Sequence, residues 1–223
     1  MKIQICTALN FFGRKCQDAL VAKLYDDGSK GLFIVCDGMD GRNKGNKVSQ
    51  TIVDVFAKVW DEGHSHTDIN SLLVRSVIET KSEIGKLKCD KTAMTMVLVA
   101  TEGEEVTIAY WGDSRTYFHR KKDNLLIHSL HHISTEKDEL PCVPQDVLNF
   151  CDTDKAYIIR LAAKDGDRIL LCTDGLYNCD KGNSLLELLA QDKSIDTIMS
   201  NIIGYCDGRS TDDVSGIIIE FKI

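Results

Sequence analysis

Phe33-Ile34-Val35-Cys36-Asp37-Gly38 and Ile169-Leu170-Leu171-Cys172-Thr173-Asp174-Gly175 are the stretches on which the reading of this sequence turns. Each is an uninterrupted apolar run that passes into Asp-Gly. A short run rich in Ile, Val and Leu, bounded by a turn pair, predicts a strand of the fully buried type. An Asp at the end of such a strand projects from the sheet rim, and the glycine after it lets a ligand approach the backbone. Taken singly, each pair is an ordinary turn, because Asp and Gly dominate turns.

Working outward, further β-branched runs predict strands at 3–8, 19–25, 92–100, 105–111, 115–120, 157–162 and 215–222, beside 31–36 and 168–173. Apolar residues at helical spacing predict helices over 46–60 and 68–88, and shorter ones at about 184–191 and 195–205. This order is not a βαβ alternation. It predicts an α+β fold of two antiparallel sheets with helices packed outside them. No linker-like tract divides the chain, so one domain over 1–223 is expected. The polar segment 131–156 holds both prolines and reads as a long loop, of the kind that is usually functional.

Three more Asp-bearing points lie at strand junctions: Gln17-Asp18-Ala19, Trp111-Gly112-Asp113-Ser114-Arg115 and Thr211-Asp212-Asp213. If they converge, electrostatics decides the chemistry. Two carboxylates about 5 Å apart repel by roughly 3 kcal/mol at an effective dielectric of 20. A cluster of four therefore implies bound cations or strongly raised pKa values. All-oxygen ligands select Mg²⁺ or Mn²⁺ over zinc, and two such ions sharing a carboxylate can acidify a bridging water for in-line attack on phosphorus.

In order along the chain stand Lys15-Cys16-Gln17-Asp18-Ala19, Asp37-Gly38-Met39-Asp40-Gly41, Thr92-Ala93-Met94-Thr95, Gly112-Asp113-Ser114-Arg115, Thr173-Asp174-Gly175-Leu176-Tyr177-Asn178 and Ser210-Thr211-Asp212-Asp213-Val214-Ser215. This series resembles the ordered motifs of the type 2C metal-dependent serine/threonine protein phosphatases, nearest their short bacterial branch, in which Met commonly follows the first Asp-Gly. It covers about residues 13 to 219. The resemblance implies an αββα sandwich with two Mn²⁺ or Mg²⁺ ions in a cleft at one end of the sheets. By position it implies that Asp37 bridges the ions and the Gly38 carbonyl adds a ligand. Asp174 and Asp212 would bind one ion, Asp18 would reach the other directly or through water, and Asp113 would hold a weaker third. Asp37, Asp174 and Asp212 would be the catalytic carboxylates, and 131–156 a flap beside the substrate. The substrate implied is a protein carrying phosphoserine or phosphothreonine, with a cognate kinase as counterpart.

The chain departs from that pattern at several positions. The phosphate-gripping Arg of the family falls at Gly13, with Arg14 one step later as the candidate anchor. Asp40-Gly41 replaces a common Gly-Gly, and Asn178 stands where relatives usually carry Asp. Met39 replaces the His of the eukaryotic branch. These departures keep a second reading open, a regulatory or binding module of the same fold with little turnover.

Composition excludes other classes. A net charge of −7 argues against sequence-independent nucleic-acid binding, and no apolar run nears the length of a membrane span. Nine Cys, an odd number without CxxC spacing, predict buried small hydrophobes in a reducing compartment, the cytoplasm. His64, His66, His128, His131 and His132 match no zinc spacing. Leu185, Leu186, Leu188 and Leu189 read as a core face.

Overall fold

A computed structural model describes residues 2–10, 16–38, 44–87, 94–128, 156–180 and 184–222. Arg14, Met39, Asp40, Arg42, His131, His132 and nearly all of 131–156 lie outside them.

Among the described residues, ten strands form two five-stranded antiparallel sheets. The strands are β1 (Lys2–Asn10), β2 (Asp18–Tyr25), β3 (Lys30–Gly38), β4 (Met94–Glu102), β5 (Glu105–Trp111), β6 (Arg115–Arg120), β7 (Leu125–His128), β8 (Tyr157–Ala162), β9 (Arg168–Cys172) and β10 (Val214–Lys222). One sheet has the order β1-β10-β9-β6-β7 and the other β2-β3-β4-β5-β8. The helices are α1 (Gly45–Gly63), α2 (Ile69–Lys86), α3 (Asp174–Tyr177), α4 (Ser184–Leu189) and α5 (Ile195–Cys206). Among the described residues, none is long and apolar enough to cross a membrane.

The uninterrupted apolar runs have a direct cause. Side chains alternate along a strand, so a strand covered on both faces needs apolar residues at every position. On β3, Leu32, Ile34 and Cys36 pack with α1 and α2, while Phe33 and Val35 meet the opposite sheet. On β9, Leu170 and Cys172 pack with α4 and α5, while Ile169 and Leu171 point between the sheets. The layers are therefore helices, sheet, sheet, helices, as the resemblance implied. Val48, Ile52, Phe56 and Val59 form the buried stripe of α1, and Asp68 caps α2 by accepting the Ser71 N–H at 3.1 Å.

The structure corrects the sequence reading at two points. The short strand β7 was not expected. Residue 173 does not extend β9; Thr173 is the N-cap of the one-turn helix α3, whose first residue is Asp174. Leu185, Leu186 and Leu189 are buried as expected. The His64 ring stacks on Tyr25 at 4.4 Å, and its Nδ1 lies 2.9 Å from the Trp60 carbonyl.

Candidate metal centre

Strand register builds the site. Asp18, the first residue of β2, pairs directly with Asp37 near the end of β3. On the other sheet β9 ends and β10 begins side by side, since the Thr173 N–H donates to the Ser215 carbonyl at 3.1 Å. This places Asp174, just after β9, beside Asp212, just before β10. Two hydroxyls then join the sheets at this rim. Thr173 Oγ1 and Ser215 Oγ donate to the same oxygen of Asp18, at 2.8 and 2.6 Å. Hydrogen bonds to a charged acceptor contribute about 1.5–3 kcal/mol each.

The turn before β10 is fixed by Ser210, whose hydroxyl lies 2.8 Å from the Gly175 carbonyl and accepts the Asp212 N–H at 3.2 Å. Asp213 is buried and accepts the Gln17 N–H at 2.8 Å, which ties the entry of β2 to the same turn. Tyr177 donates its O–H to Asp113 at 3.0 Å, and the Arg115 guanidinium lies 3.6 Å from the Tyr177 ring centroid. Asn178 Nδ2 donates to Asp174 at 3.3 Å.

The carboxylates act on one another as a cluster must. Burial pushes the Asp37 carboxyl up to about 8, with the charges of Asp18, Asp174 and Asp212 adding to the rise. Asp18 is pushed up to about 6 by burial, against the pull of the Ser215 and Thr173 hydroxyls. Asp174 is raised by burial, then by Asp212 and Asp113. The charges of Asp18, Asp174 and Asp212 thus all reach Asp37, and Asp113 adjoins the group through Asp174. Among the described residues no three carboxylate, imidazole or thiol groups close into a cage around a single point.

The donor set fits hard divalent ions. It offers carboxylate and carbonyl oxygens, and an Asp37 that stays protonated near neutral pH unless positive charge is supplied. Cys16 is no competing nucleophile, because burial pushes its thiol up to about 12. Cys36 and Cys172 are fully buried, with thiols raised well above their ordinary value.

Residues 12–209 match the protein phosphatase 2C family. The chain belongs to that family. The serine/threonine phosphatase Stp of Listeria monocytogenes is 26% identical over 189 residues, spanning 74% of this chain and 73% of that one. Among solved structures, the S. agalactiae serine/threonine phosphatase superposes with a TM-score of 0.75 at 21% identity, covering 99% of this chain and 100% of the other. The catalytic domain of the serine/threonine protein phosphatase PstP, in complex with two manganese ions, gives 0.76 at 20% identity, with 99% of each chain covered. At these identities the superpositions speak for the shared fold.

Within this protein phosphatase 2C chain, the Asp-Gly pairs have a steric cause beyond turn preference. A Cβ on Gly38 would lie 2.0 Å from the Gly45 carbonyl oxygen, and one on Gly175 would lie 2.0 Å from that of Asp213. Both obstacles are backbone, which cannot swing aside. Gly175→Ala is therefore expected to cost about 3 kcal/mol and lower Tm by about 6–12 °C in a calorimetric melt. A Tm within a degree of wild type would show that the packing of α3 on the Asp212 turn is looser than described.

Sequence reasoning missed Thr173, Ser215, Asp213 and Tyr177 as site residues. Ser215 carried a legible signal, since a hydroxyl stands there just ahead of the apolar run Ile217 to Ile219. Nothing local marked Tyr177.

The raised carboxyls also set a pH dependence. A carboxyl whose folded pKa exceeds its unfolded value binds more protons when folded, so stability falls as pH rises between the two. For metal-free protein the loss runs from about pH 4 to about 6 for Asp18 and to about 8 for Asp37. Thermal melts in EDTA should give a Tm that drops across this window, and Asp37→Asn should flatten the drop and be the more stable protein at pH 8. A variant with the same slope as wild type would contradict the cluster.

Proposed function

We infer that this chain is a divalent-metal-dependent protein phosphatase that hydrolyses phosphoserine and phosphothreonine in proteins, using Mn²⁺ or Mg²⁺. The observation that supports the reading is that the charges of Asp18, Asp174 and Asp212 all act on Asp37, within a chain of the protein phosphatase 2C family. When bound, two such ions supply Lewis-acid activation of water and positive charge for the phosphoryl oxygens. In our assignment Asp37 and the Gly38 carbonyl would serve both ions. Asp174 and Asp212 would hold one ion, and Asp18 would serve the other.

The remaining residues orient this set. Thr173 and Ser215 fix one Asp18 oxygen, which sets the orientation of that carboxylate. Ser210 and Asp213 hold the turns that carry Asp212 and precede Asp18. Retention of all four carboxylates in an ordered frame favours an enzyme over a binding module. A serine/threonine kinase acting on the same proteins is the counterpart this activity needs. Six of the cysteines, Cys6, Cys16, Cys36, Cys172, Cys179 and Cys206, are free thiols, which supports placement in the reducing cytoplasm.

A phosphate dianion facing several carboxylates needs cationic help, and a guanidinium supplies it in bidentate fashion. We assign that role to Arg14, beside Gly13 where the family carries its Arg. The reading as a whole is tested by phosphate release from a protein phosphorylated on serine or threonine. In that assay Arg14→Ala should raise KM and lower kcat/KM by roughly ten- to hundredfold, with metal affinity little changed. Unchanged kcat/KM would remove Arg14 from the assignment, and absence of release by wild type would remove the enzyme reading.

A further inference from the structure

We infer that Tyr177 and Asn178 close the third-ion position that the family resemblance places at Asp113, so that this chain holds two ions and uses Asp113 as a positioning residue. The inference rests on the two-ion reading above. Three observations around Asp113 carry it. The Tyr177 O–H, a donor, already occupies Oδ2 of Asp113 at 3.0 Å. A cation on that oxygen would have to share it with the phenol. The Arg115 guanidinium is stacked on the same ring, 3.6 Å from its centroid, with its Nε buried and without a hydrogen-bond partner among the described residues. That guanidinium is a resident positive charge, which repels a further cation. Finally, position 178 is an amide whose Nδ2 points at Asp174 at 3.3 Å, so no second carboxylate is added there. Magnesium and manganese need several oxygen ligands, and Asp113 beside an Asp174 already committed to the two-ion centre supplies too few.

The Asp113–Tyr177 bond has a structural consequence instead. It ties the turn between β5 and β6 to α3, whose first residue is Asp174. Asp113 thus acts on the metal centre through Tyr177, by fixing the element that presents Asp174.

Mn²⁺ titration followed by electron paramagnetic resonance counts bound ions without reference to turnover. Wild type and Asp113→Asn should both bind two ions into the millimolar range of free Mn²⁺. Tyr177→Phe combined with Asn178→Asp, which keeps the ring under Arg115, should gain a third. A third ion in wild type that Asp113→Asn removes would overturn the inference. So would failure of the double variant to gain one while its melt shows it folded. Fewer than two ions in wild type would instead overturn the two-ion reading, and this inference with it.

Discussion

Asp37→Asn is expected to lower kcat/KM by three orders of magnitude or more, a loss of about 4 kcal/mol of transition-state stabilisation. Asp37 is the carboxylate on which the charges of Asp18, Asp174 and Asp212 all act, which places it at the middle of the cluster. An amide there keeps the shape but removes the charge that two cations share, so ion affinity and activity fall together. Asp174→Asn and Asp212→Asn should show losses of the same order, because each removes a charge from the same centre. The loss cannot be credited to unfolding, since relief of like-charge repulsion makes metal-free Asp37→Asn the more stable protein at neutral pH and above. Asp213→Asn serves as the contrast. Asp213 accepts the Gln17 N–H at 2.8 Å, and an Asn side-chain oxygen can accept the same bond. Its rate should stay within a few-fold of wild type. Near-normal kcat/KM in Asp37→Asn, measured by phosphate release, would break the assignment of the site.

The parts of this fold that were legible are those where one physical requirement acts alone. Residues 33–36 and 169–172 had to be apolar throughout because each strand is covered on both faces. The α1 stripe was legible for the same reason at helical spacing. β7 was not, because four residues, Leu125 to His128, are too few to show a period. The start of α3 was hidden because Thr173 caps a single turn, which has no periodicity of its own.

The site divides in the same way. Asp37-Gly38 and Asp174-Gly175 stood out, and the structure adds the reason for each glycine, a backbone oxygen where a Cβ would lie. The convergence of the carboxylates did not follow from the residues themselves. It depends on Asp18 pairing with Asp37 across one sheet and on Thr173 and Ser215 reaching over from the other. Those contacts join residues 155 and 197 positions apart, and local pattern carries no trace of them. The family motifs supplied the expectation, and the hydroxyl bonds supply its mechanical basis. Tyr177 shows the limit of motif transfer: a position between two family residues changes the surroundings of Asp113 without altering any expected ligand.

The claim on which the account rests is that these carboxylates work only with divalent cations between them. Its most direct measurement is phosphate release from a serine-phosphorylated protein by enzyme stripped with EDTA, then returned to Mn²⁺ or Mg²⁺ after the chelator is removed. Four carboxylates facing one rim leave no unopposed positive charge for a phosphate dianion, so the stripped protein should release phosphate no faster than a blank. Return of either ion should restore turnover, because the donors are hard oxygens that accept both. The Asp37→Asn protein, treated in the same way, should stay silent. Full activity in the stripped protein would contradict the account.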